Sequence, residues 1–334
     1  MSTARNRPLR LPRRLAALAT LLLAAALPLQ AGAQAPARPP GPALAYVPNE
    51  GSGTISVIDT ATDQVVAELP GGAKPRGLAV SPDRRRLYVS DQPHDSLQVI
   101  DVDRRRLDTA VALGESPEGV SMSPDGRWVV AAVEGKNEIA VTDTRGDALA
   151  FSIKVRGRNP EHAVFSPDGR LLLVSAEDGE AVDIVDFPAR RQVAQVAVGA
   201  RPRGIGFLPD GSRAYVAAEN ANEVFVIDTV KRAVVARIPA GLRANGIAVH
   251  PGGREVYVSN GGAASVSVID TASNQVVATI PVGQRPWNMA LTPDGAKLYV
   301  ANGRSNSVSV IDTARRLKLR DVAVGKLPWG VAIR

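Results

Sequence analysis

The chain contains 334 residues, with 40 lysines and arginines against 33 aspartates and glutamates, which gives a formal net charge of +7. Five of these arginines and none of the acids precede residue 34, so the rest of the chain carries a net charge of only +2 (35 − 33). That small charge argues against a strong long-range field for nucleic acid, and the absence of cysteine excludes disulfides, thiol nucleophiles and a lipid-modified cysteine.

The N-terminal segment has the order of parts that is typical of a secretory signal peptide. Five arginines precede an apolar run from Leu15 to Leu27, and the small residues Ala31-Gly32-Ala33 follow. We therefore expect residues 1–33 to be a signal peptide that is cleaved near Ala33, and the protein to be periplasmic. The apolar run is short for a membrane span and no second one follows, so no membrane span is expected. The next stretch, residues 34–42 (QAPARPPGP), is expected to be a Pro/Ala-rich linker.

A repeat of 42 or 43 residues fills the rest of the chain, residues 43–334. An aspartate that ends a run such as SVSVID marks each repeat, at Asp59, Asp101, Asp143, Asp186, Asp228, Asp270 and Asp312. The turn SPDG and the loop VGxxP recur with the same period. Short β-branched runs between turn residues predict four strands per repeat, with SPDG as a type I turn and the aspartate closing an Asx turn. Seven units of this kind predict an all-β fold, a seven-bladed β-propeller of four-stranded antiparallel blades.

The two ends of the repeat array predict how the ring closes. The first repeat begins at its second strand, LAYVPN, and the last run, WGVAIR, corresponds to a first strand. We therefore expect the C-terminal strand to pair with the N-terminal blade, which removes the exposed edges that an open sheet would leave.

The loops on one face of the ring differ most between repeats. Since strands alternate in direction, the VGxxP loop and the loop after YVxN share this face. The residue that follows the VGxxP proline, or its equivalent, should surround the mouth of the central channel: Arg76, Glu118, Glu161, Arg203, Asn245, Trp287 and Trp329. Such a rim offers a polar wall and an aromatic shelf for a small polar or ring-bearing ligand. In the alternative interpretation, the acids and arginines only neutralise one another and the tryptophans cap the core.

No sequence motif for catalysis is present, neither G-x-S-x-G nor H-E-x-x-H. His162 follows Glu161 in the rim and completes the candidate ligand- or partner-binding set, but neighbours along a strand are expected to point to opposite faces. Three histidines in different repeats are too few for a zinc site. We therefore predict no catalytic residue, metal or cofactor. Some loop carboxylates do offer oxygens that could hold Ca²⁺, namely Glu134, Glu177 and Glu219, with Asp91, Asp178 and Glu180 nearby.

The repeat words YVSN, YVAN and SVSVIDT resemble those of the YVTN-type β-propellers of secreted prokaryotic proteins, over roughly residues 43–334. The run VGQRPWNMALTPDG…NGRSNSVSVIDT…VGKLPWGVAIR further resembles the pyrroloquinoline-quinone (PQQ)-dependent catabolism-associated β-propellers. This resemblance implies a periplasmic protein that accompanies quinoprotein alcohol oxidation. Its partner would be a quinoprotein dehydrogenase or a cytochrome, or a small ligand at the channel mouth. It does not imply that the chain binds the quinone itself, because eight-bladed quinoprotein dehydrogenases carry vicinal cysteines and this chain has none.

Three functions follow from these observations. The first is a non-catalytic periplasmic binding or assembly module that serves PQQ-dependent alcohol oxidation. The second is a propeller hydrolase such as a lactonase. The third is single-stranded nucleic-acid binding, with stacking on Trp287 and Trp329 beside Arg201, Arg203, Arg243 and Arg285, against which the near-neutral charge counts. The fold by itself supports none of the three.

Overall fold

The computed structural model describes residues 43–334, and the predicted signal peptide (1–33) and linker (34–42) lie outside the described residues. The described part of the chain forms 28 strands in seven four-stranded antiparallel sheets. The predicted seven-bladed β-propeller is therefore confirmed. Among residues 43–334, no helix is long and apolar enough to cross a membrane.

The blades are numbered here in chain order. Blade 1 contains β1 (Leu44–Asn49), β2 (Thr54–Asp59), β3 (Gln64–Pro70) and the distant β28 (Ala332–Ile333). Blade 2 contains β4 (Pro75–Val80), β5 (Arg86–Asp91), β6 (Ser96–Asp101) and β7 (Arg106–Ala112). Blade 3 contains β8 (Pro117–Met122), β9 (Trp128–Val133), β10 (Glu138–Asp143) and β11 (Ala148–Lys154). Blade 4 contains β12 (Pro160–Phe165), β13 (Leu171–Ala176), β14 (Ala181–Asp186) and β15 (Arg191–Ala197).

The remaining three blades have the same order of strands. Blade 5 contains β16 (Pro202–Phe207), β17 (Arg213–Ala218), β18 (Glu223–Asp228) and β19 (Ala233–Pro239). Blade 6 contains β20 (Ala244–Val249), β21 (Glu255–Asn260), β22 (Ser265–Asp270) and β23 (Gln275–Pro281). Blade 7 contains β24 (Pro286–Leu291), β25 (Lys297–Asn302), β26 (Ser307–Asp312) and β27 (Leu317–Ala323). Single 3₁₀ turns follow the second strands of blades 2, 3 and 4, at Gln92–His94, Glu134–Lys136 and Glu177–Gly179.

The position of a strand within its blade determines how much of it is buried. In blade 7, β25 and β26 each have five of six residues buried, whereas β27 has one of seven. The middle strands are apolar on both faces because a neighbouring blade covers each face. Tyr46, for example, packs with Leu87 of blade 2, and Val47 packs with Tyr299 of blade 7.

The repeated words YVxN and SVSV are explained by a buried side-chain hydrogen-bond pattern. The Asn302 amide donates to the hydroxyls of Ser307 and Ser309, at 3.2 and 2.9 Å, across the β25–β26 turn. Asn260 makes the equivalent bonds in blade 6, and Asn49 makes them in blade 1. Because each of these asparagines is fully buried, the hydroxyl acceptors are needed to satisfy the amide.

The other landmarks of the repeat also have the predicted roles. Each of the seven marker aspartates accepts a backbone N–H two or three residues further on, which confirms the Asx turns. The five repeat tyrosines are fully buried, so they are packing residues. Some of their hydroxyls also join blades: Tyr88 donates to Asp147 of blade 3 at 2.9 Å, and Tyr215 donates to Asn274 of blade 6 at 3.0 Å.

The ring closes as predicted. In blade 1, β28 pairs antiparallel with β1 through Ala45 with Ile333 and Tyr46 with Ala332. The backbones of Leu44 and Arg334 exchange two hydrogen bonds of 3.2 Å beyond this pair. The closing strand therefore supplies the innermost position of blade 1, next to the channel.

Candidate functional site

The rim that the sequence predicts is assembled around one cavity at the mouth of the channel. The sequence predicts seven rim residues, each in the position after the proline. All seven line this cavity, which has a volume of about 280 Å³. The other lining residues are Glu50, Gln92, Glu134, Asn159, Glu177, Arg201, Arg285 and Asn288. The eighth predicted residue, His162, lies beneath the cavity and lines a second, smaller space of about 120 Å³.

An irregular start of each innermost strand turns these side chains into the channel. In blades 2 to 7 the pairing register shifts within the first residues of the strand, for example between Pro75 and Leu78. Glycine is the second residue after the proline slot in five blades, and its lack of a side chain lets neighbouring strands approach closely. A Cβ on Gly77 would lie 2.4 Å from the backbone oxygen of Glu118 in the next blade. Two blades depart from glycine, with His162 in blade 4 and Asn288 in blade 7.

His162 and Asn288 fill the channel below the mouth. The imidazole of His162 stacks on the indole of Trp329, with ring centroids 5.5 Å apart and planes 13° apart. Asn288 lines the same small cavity as His162 and Trp329. Burial lowers the pKa of His162 below its usual value, so the ring is neutral near neutral pH. These three side chains form the floor that separates the two cavities.

The expectation that Glu161 and His162 point to opposite faces of a strand is wrong. The Glu161 carboxylate lies 4.0 Å from His162 Nδ1. The pairing register shifts between Pro160 and His162, so the regular alternation of side chains fails at this place.

A second ring of residues surrounds the first and was only partly recognised from the sequence. It consists of the residue after the second strand of each blade: Glu50, Gln92, Glu134, Glu177, Glu219, Gly261 and Gly303. In blade 7, glycine in this slot leaves room for the neighbouring indole, since a Cβ on Gly303 would lie 3.1 Å from the Trp287 ring. The same repeat alignment that gave the first ring would have identified Glu50 and Gln92.

On one side of the mouth, Arg76 joins the acids of blades 1 and 3. Arg76 Nε lies 3.2 Å from Glu50 Oε2, and its guanidinium also binds Glu118 Oε1. Gln92 Nε2 donates to the same Glu118 oxygen at 2.6 Å. Glu118 Oε2 is buried and has no hydrogen-bond partner among the described residues.

On the adjacent side, Arg203 is shared by three glutamates. Its guanidinium nitrogens lie 2.6 Å from Glu161 Oε1, 3.4 Å from Glu177 Oε1 and 2.9 Å from Glu219 Oε2. Arg201 also contacts Glu177. Burial disfavours the charge on Arg203, but the three acids outweigh burial and raise its pKa.

The loop acids considered as Ca²⁺ ligands do not converge as one set. Glu219 is fully buried and pairs with arginines instead, with Arg285 Nη2 at 3.0 Å from its Oε1. Asp91 is buried and accepts the Lys74 backbone N–H at 2.8 Å. Asp178 and Glu180 line a separate surface depression. Only Glu134 and Glu177 of this set approach each other, and the third carboxylate beside them is Glu161.

The carboxyl groups of the mouth differ in their ionisation. Burial raises the pKa of Glu118 to about 9, and the charge of Glu161 adds to this effect. Burial likewise raises the pKa of Glu177 to about 7. Burial also opposes ionisation of Glu161, but the positive charges of Arg203 and Arg76 outweigh it and lower its pKa. Strongly perturbed carboxyls concentrated in one cavity are typical of functional sites.

The two interpretations of the rim each describe part of it. Arginines and glutamates do pair, as the neutralisation interpretation requires. The cavity is nevertheless lined by five glutamates and four arginines, so its acids are in excess. Trp287 and Trp329 are only partly buried and face the cavity instead of capping the core.

Comparisons with known proteins agree with this architecture. A family model described as "YNCE-like beta-propeller" matches residues 6–333. A hydrazine synthase chain from Kuenenia stuttgartiensis is 27% identical, with a TM-score of 0.75 and coverage of 80% of this chain and 92% of that chain. No curated protein matches the chain significantly.

Two further solved structures share the fold at lower identity. A functionally unknown protein from Desulfotomaculum acetoxidans is 19% identical, with a TM-score of 0.76 and coverage of 87% of this chain and 98% of that chain. A proposed 6-phosphogluconolactonase from Bacteroides uniformis is 21% identical, with a TM-score of 0.74 and coverage of 88% and 100%. At these identities the likeness shows the fold alone.

Proposed function

Since the chain belongs to the YNCE-like beta-propeller family, we propose that it is a non-catalytic binding module whose channel mouth holds a small polar ligand or a polar group of a partner protein. The observation that carries this proposal is the contrast between the two faces of the ring. The turns of one face repeat the same chemistry around the ring, whereas the two rings of the mouth change from arginine and glutamate to asparagine, glycine and tryptophan. Packing alone does not require such variation at equivalent positions.

The shape and chemistry of the mouth define what it would bind. The floor of His162, Asn288 and Trp329 lies below the cavity, so a ligand would enter from the face that carries the VGxxP loops. Trp287 and Trp329 offer aromatic surface on neighbouring blades, and buried carboxylates stand on the other side. A compact ligand with a planar or apolar part and hydrogen-bond donors would satisfy both walls.

The biological setting that we propose is the periplasm, in a system for PQQ-dependent alcohol oxidation. The export signal expected in residues 1–33 supports the first part, and the resemblance of the C-terminal run supports the second. The partner would then be a quinoprotein dehydrogenase or a cytochrome. Nucleic acid is disfavoured as a partner because arginines of the mouth, such as Arg203 and Arg285, already pair with buried glutamates.

Lactone hydrolysis is the competing function, and the arrangement of the mouth gives it little support. The pair Glu161 and His162 is present at 4.0 Å. The imidazole, however, stacks on Trp329 and lines the second cavity instead of the mouth, so it is poorly placed to act on a ligand there.

An affinity experiment tests the proposal. Protein with an N-terminal tag and a Trp287→Ala variant would be incubated with periplasmic extract, and retained proteins identified by mass spectrometry. Trp128→Ala is the matched control, because Trp128 lies beside the SPDG turn on the opposite face. We expect a dehydrogenase or a cytochrome to be retained by wild type and Trp128→Ala but not by Trp287→Ala. Equal retention by all three, or lactone hydrolysis that is lost in Glu161→Gln, would overturn the proposal.

A further inference from the structure

Three carboxylates from two neighbouring blades converge at the mouth. Glu134 follows β9 of blade 3, Glu161 lies at the start of β12, and Glu177 follows β13 of blade 4. One oxygen from each lies within 4.8 Å of the others. Carboxylates at such distances repel one another unless a positive charge or a proton lies between them.

The arginines near these carboxylates contact only some of the carboxylate oxygens. Arg203 contacts Oε1 of Glu161 and Oε1 of Glu177, and it also has to serve Glu219. Glu134 Oε2 accepts a hydrogen bond of 2.6 Å from the Ser116 hydroxyl. Among residues 43–334, no lysine, arginine or histidine nitrogen lies within 4.0 Å of the Glu134 carboxylate. Each of the three acids therefore keeps an oxygen without a cationic partner.

A fourth carboxylate provides an independent indication of a cation site. Glu118 is fully buried, lines the same cavity and interacts electrostatically with Glu161 and Glu134. Its Oε1 binds Arg76 and Gln92, whereas its Oε2 has no hydrogen-bond partner in the described part of the chain. A buried carboxylate oxygen without a donor is costly, so such groups are normally paired or bind a cation.

We propose that Glu134, Glu161 and Glu177 form a binding site for a divalent cation, with Ca²⁺ as the preferred ion and Glu118 as a further acid of the same cavity. All the donors are carboxylate oxygens, which hard cations prefer. Ca²⁺ binds oxygens at about 2.3–2.6 Å, so two oxygens on one ion lie at most about 5 Å apart. The separations of the three converging oxygens fall within that limit. Mg²⁺ is disfavoured because it requires near-ideal octahedral geometry, which this partly occupied set cannot readily provide.

This site goes beyond the proposed function, because it needs neither an organic ligand nor a partner protein. A cation here would lie in the cavity lined by Trp287 and Trp329. It would offer an open coordination position to an oxygen-bearing ligand on the aromatic shelf. The cation and the ligand would then bind cooperatively.

Calcium binding by itself tests the inference. Chelator-treated protein would be titrated with CaCl₂ by isothermal calorimetry, in parallel with Glu134→Gln, Glu177→Gln and the control Glu115→Gln. Glu115 is an exposed acid on the adjacent loop that does not line the cavity. We expect one Ca²⁺ per wild-type chain, an increase in Kd of about tenfold or more in the two cavity variants, and no change in the control.

Terbium luminescence provides a readout of where the ion binds. Tb³⁺ replaces Ca²⁺ at oxygen sites and is excited by a nearby indole, so we expect Ca²⁺-displaceable luminescence that falls in Trp287→Phe but not in Trp128→Phe. Thermal melting in chelator would confirm that each variant is folded. The inference is overturned if wild type shows no binding at millimolar Ca²⁺, or if the cavity variants bind as well as wild type.

Discussion

His162 of blade 4 and Trp329 of the loop that leads into β28 stack face to face across the central channel, with ring centroids 5.5 Å apart. Blades 1 and 4 are three positions apart in a ring of seven, so the two side chains can meet only by crossing the channel. The stack therefore joins almost opposite walls of the propeller and gives the mouth its floor.

Replacing His162 should show how much this floor stabilises the ring. We expect His162→Ala to lower the free energy of unfolding by about 2 kcal/mol, because it leaves a void under Trp329. His162→Phe should retain most of the stability. Since burial lowers the pKa of His162 from 6.5, wild type should also lose stability as the pH falls below about 6.5, and the phenylalanine variant should lack this loss. Urea unfolding at pH 5 and pH 7.5 measures both effects, and equal pH dependence would refute a buried neutral histidine.

The two mouth tryptophans should behave differently from a packing residue. We expect Trp287→Ala to weaken ligand or partner binding by about 1–3 kcal/mol while melting nearly as wild type. Trp329→Ala should weaken binding and also lower stability, because Trp329 packs on His162. Tyr257→Ala, at a fully buried position, should lower the free energy of unfolding by about 3–5 kcal/mol. If Trp287→Ala melts as poorly as Tyr257→Ala, the rim is core and the site is misassigned.

Glu118 should make the protein less stable at alkaline pH when no cation is present. Its pKa rises from 4.5 to about 9 on folding, so the folded state binds a proton that the unfolded state releases. This contribution is complete below pH 4.5 and is lost as the pH rises towards 9. Between pH 5 and pH 9 in chelating buffer, we expect Glu118→Gln to lose less stability than wild type, by on the order of 1–2 kcal/mol. Denaturant titrations that give parallel pH profiles for the two proteins would contradict this.

Deletion of Trp329–Arg334 should disrupt the whole ring instead of fraying one end. These residues contain β28, and without them β1 exposes a strand edge and the channel loses its floor. We expect a large fall in melting temperature by circular dichroism and self-association in gel filtration. Arg334→Ala, which keeps the backbone bonds to Leu44, is the control. A monomeric truncated protein that melts as wild type would show that closure contributes little.

The buried asparagine of the YVxN word should matter for stability and not for binding. Asn302→Ala removes two hydrogen bonds to Ser307 and Ser309 and leaves their hydroxyls buried. We expect a loss of about 1–3 kcal/mol in the free energy of unfolding. Asn220→Ala, at an exposed position on the same face, should have almost no effect. Equal melting of the two variants would rule out this account of the repeat.

The fold could be predicted from the sequence because its constraints are local and repeated. Asp59 and its six equivalents each close a turn with their own backbone, so spacing alone locates the strands. The first ring of the mouth follows from the same alignment, since Arg76 and its equivalents share one slot. The same alignment also places Glu50 and Gln92 in one position of the repeat. That position contains glycine in two blades, so the alignment alone does not mark it as part of a binding site.

Other features of the site depend on contacts that the repeat does not encode. The stack of His162 on Trp329 requires a register shift after Pro160 and glycine in most of the other blades. Glu134 lies close to Glu161 and not to Glu219, because Glu219 forms salt bridges with arginines such as Arg285. These contacts form between side chains of different blades, and the repeat pattern of the sequence does not predict them.

The pairing of β1 with β28 also affects the order of events during folding. Ala45 and Ile333 are 288 residues apart in the chain (333 − 45), and they are direct partners in one sheet. Blades 2 to 7 are each built from contiguous sequence, but the first blade cannot be completed until the C-terminal strand joins it. Until then its inner edge is unprotected, and such long-range pairing is slow. We therefore expect a holding chaperone to raise the yield of folded protein more than it does for proteins of similar length without such end-to-end pairing.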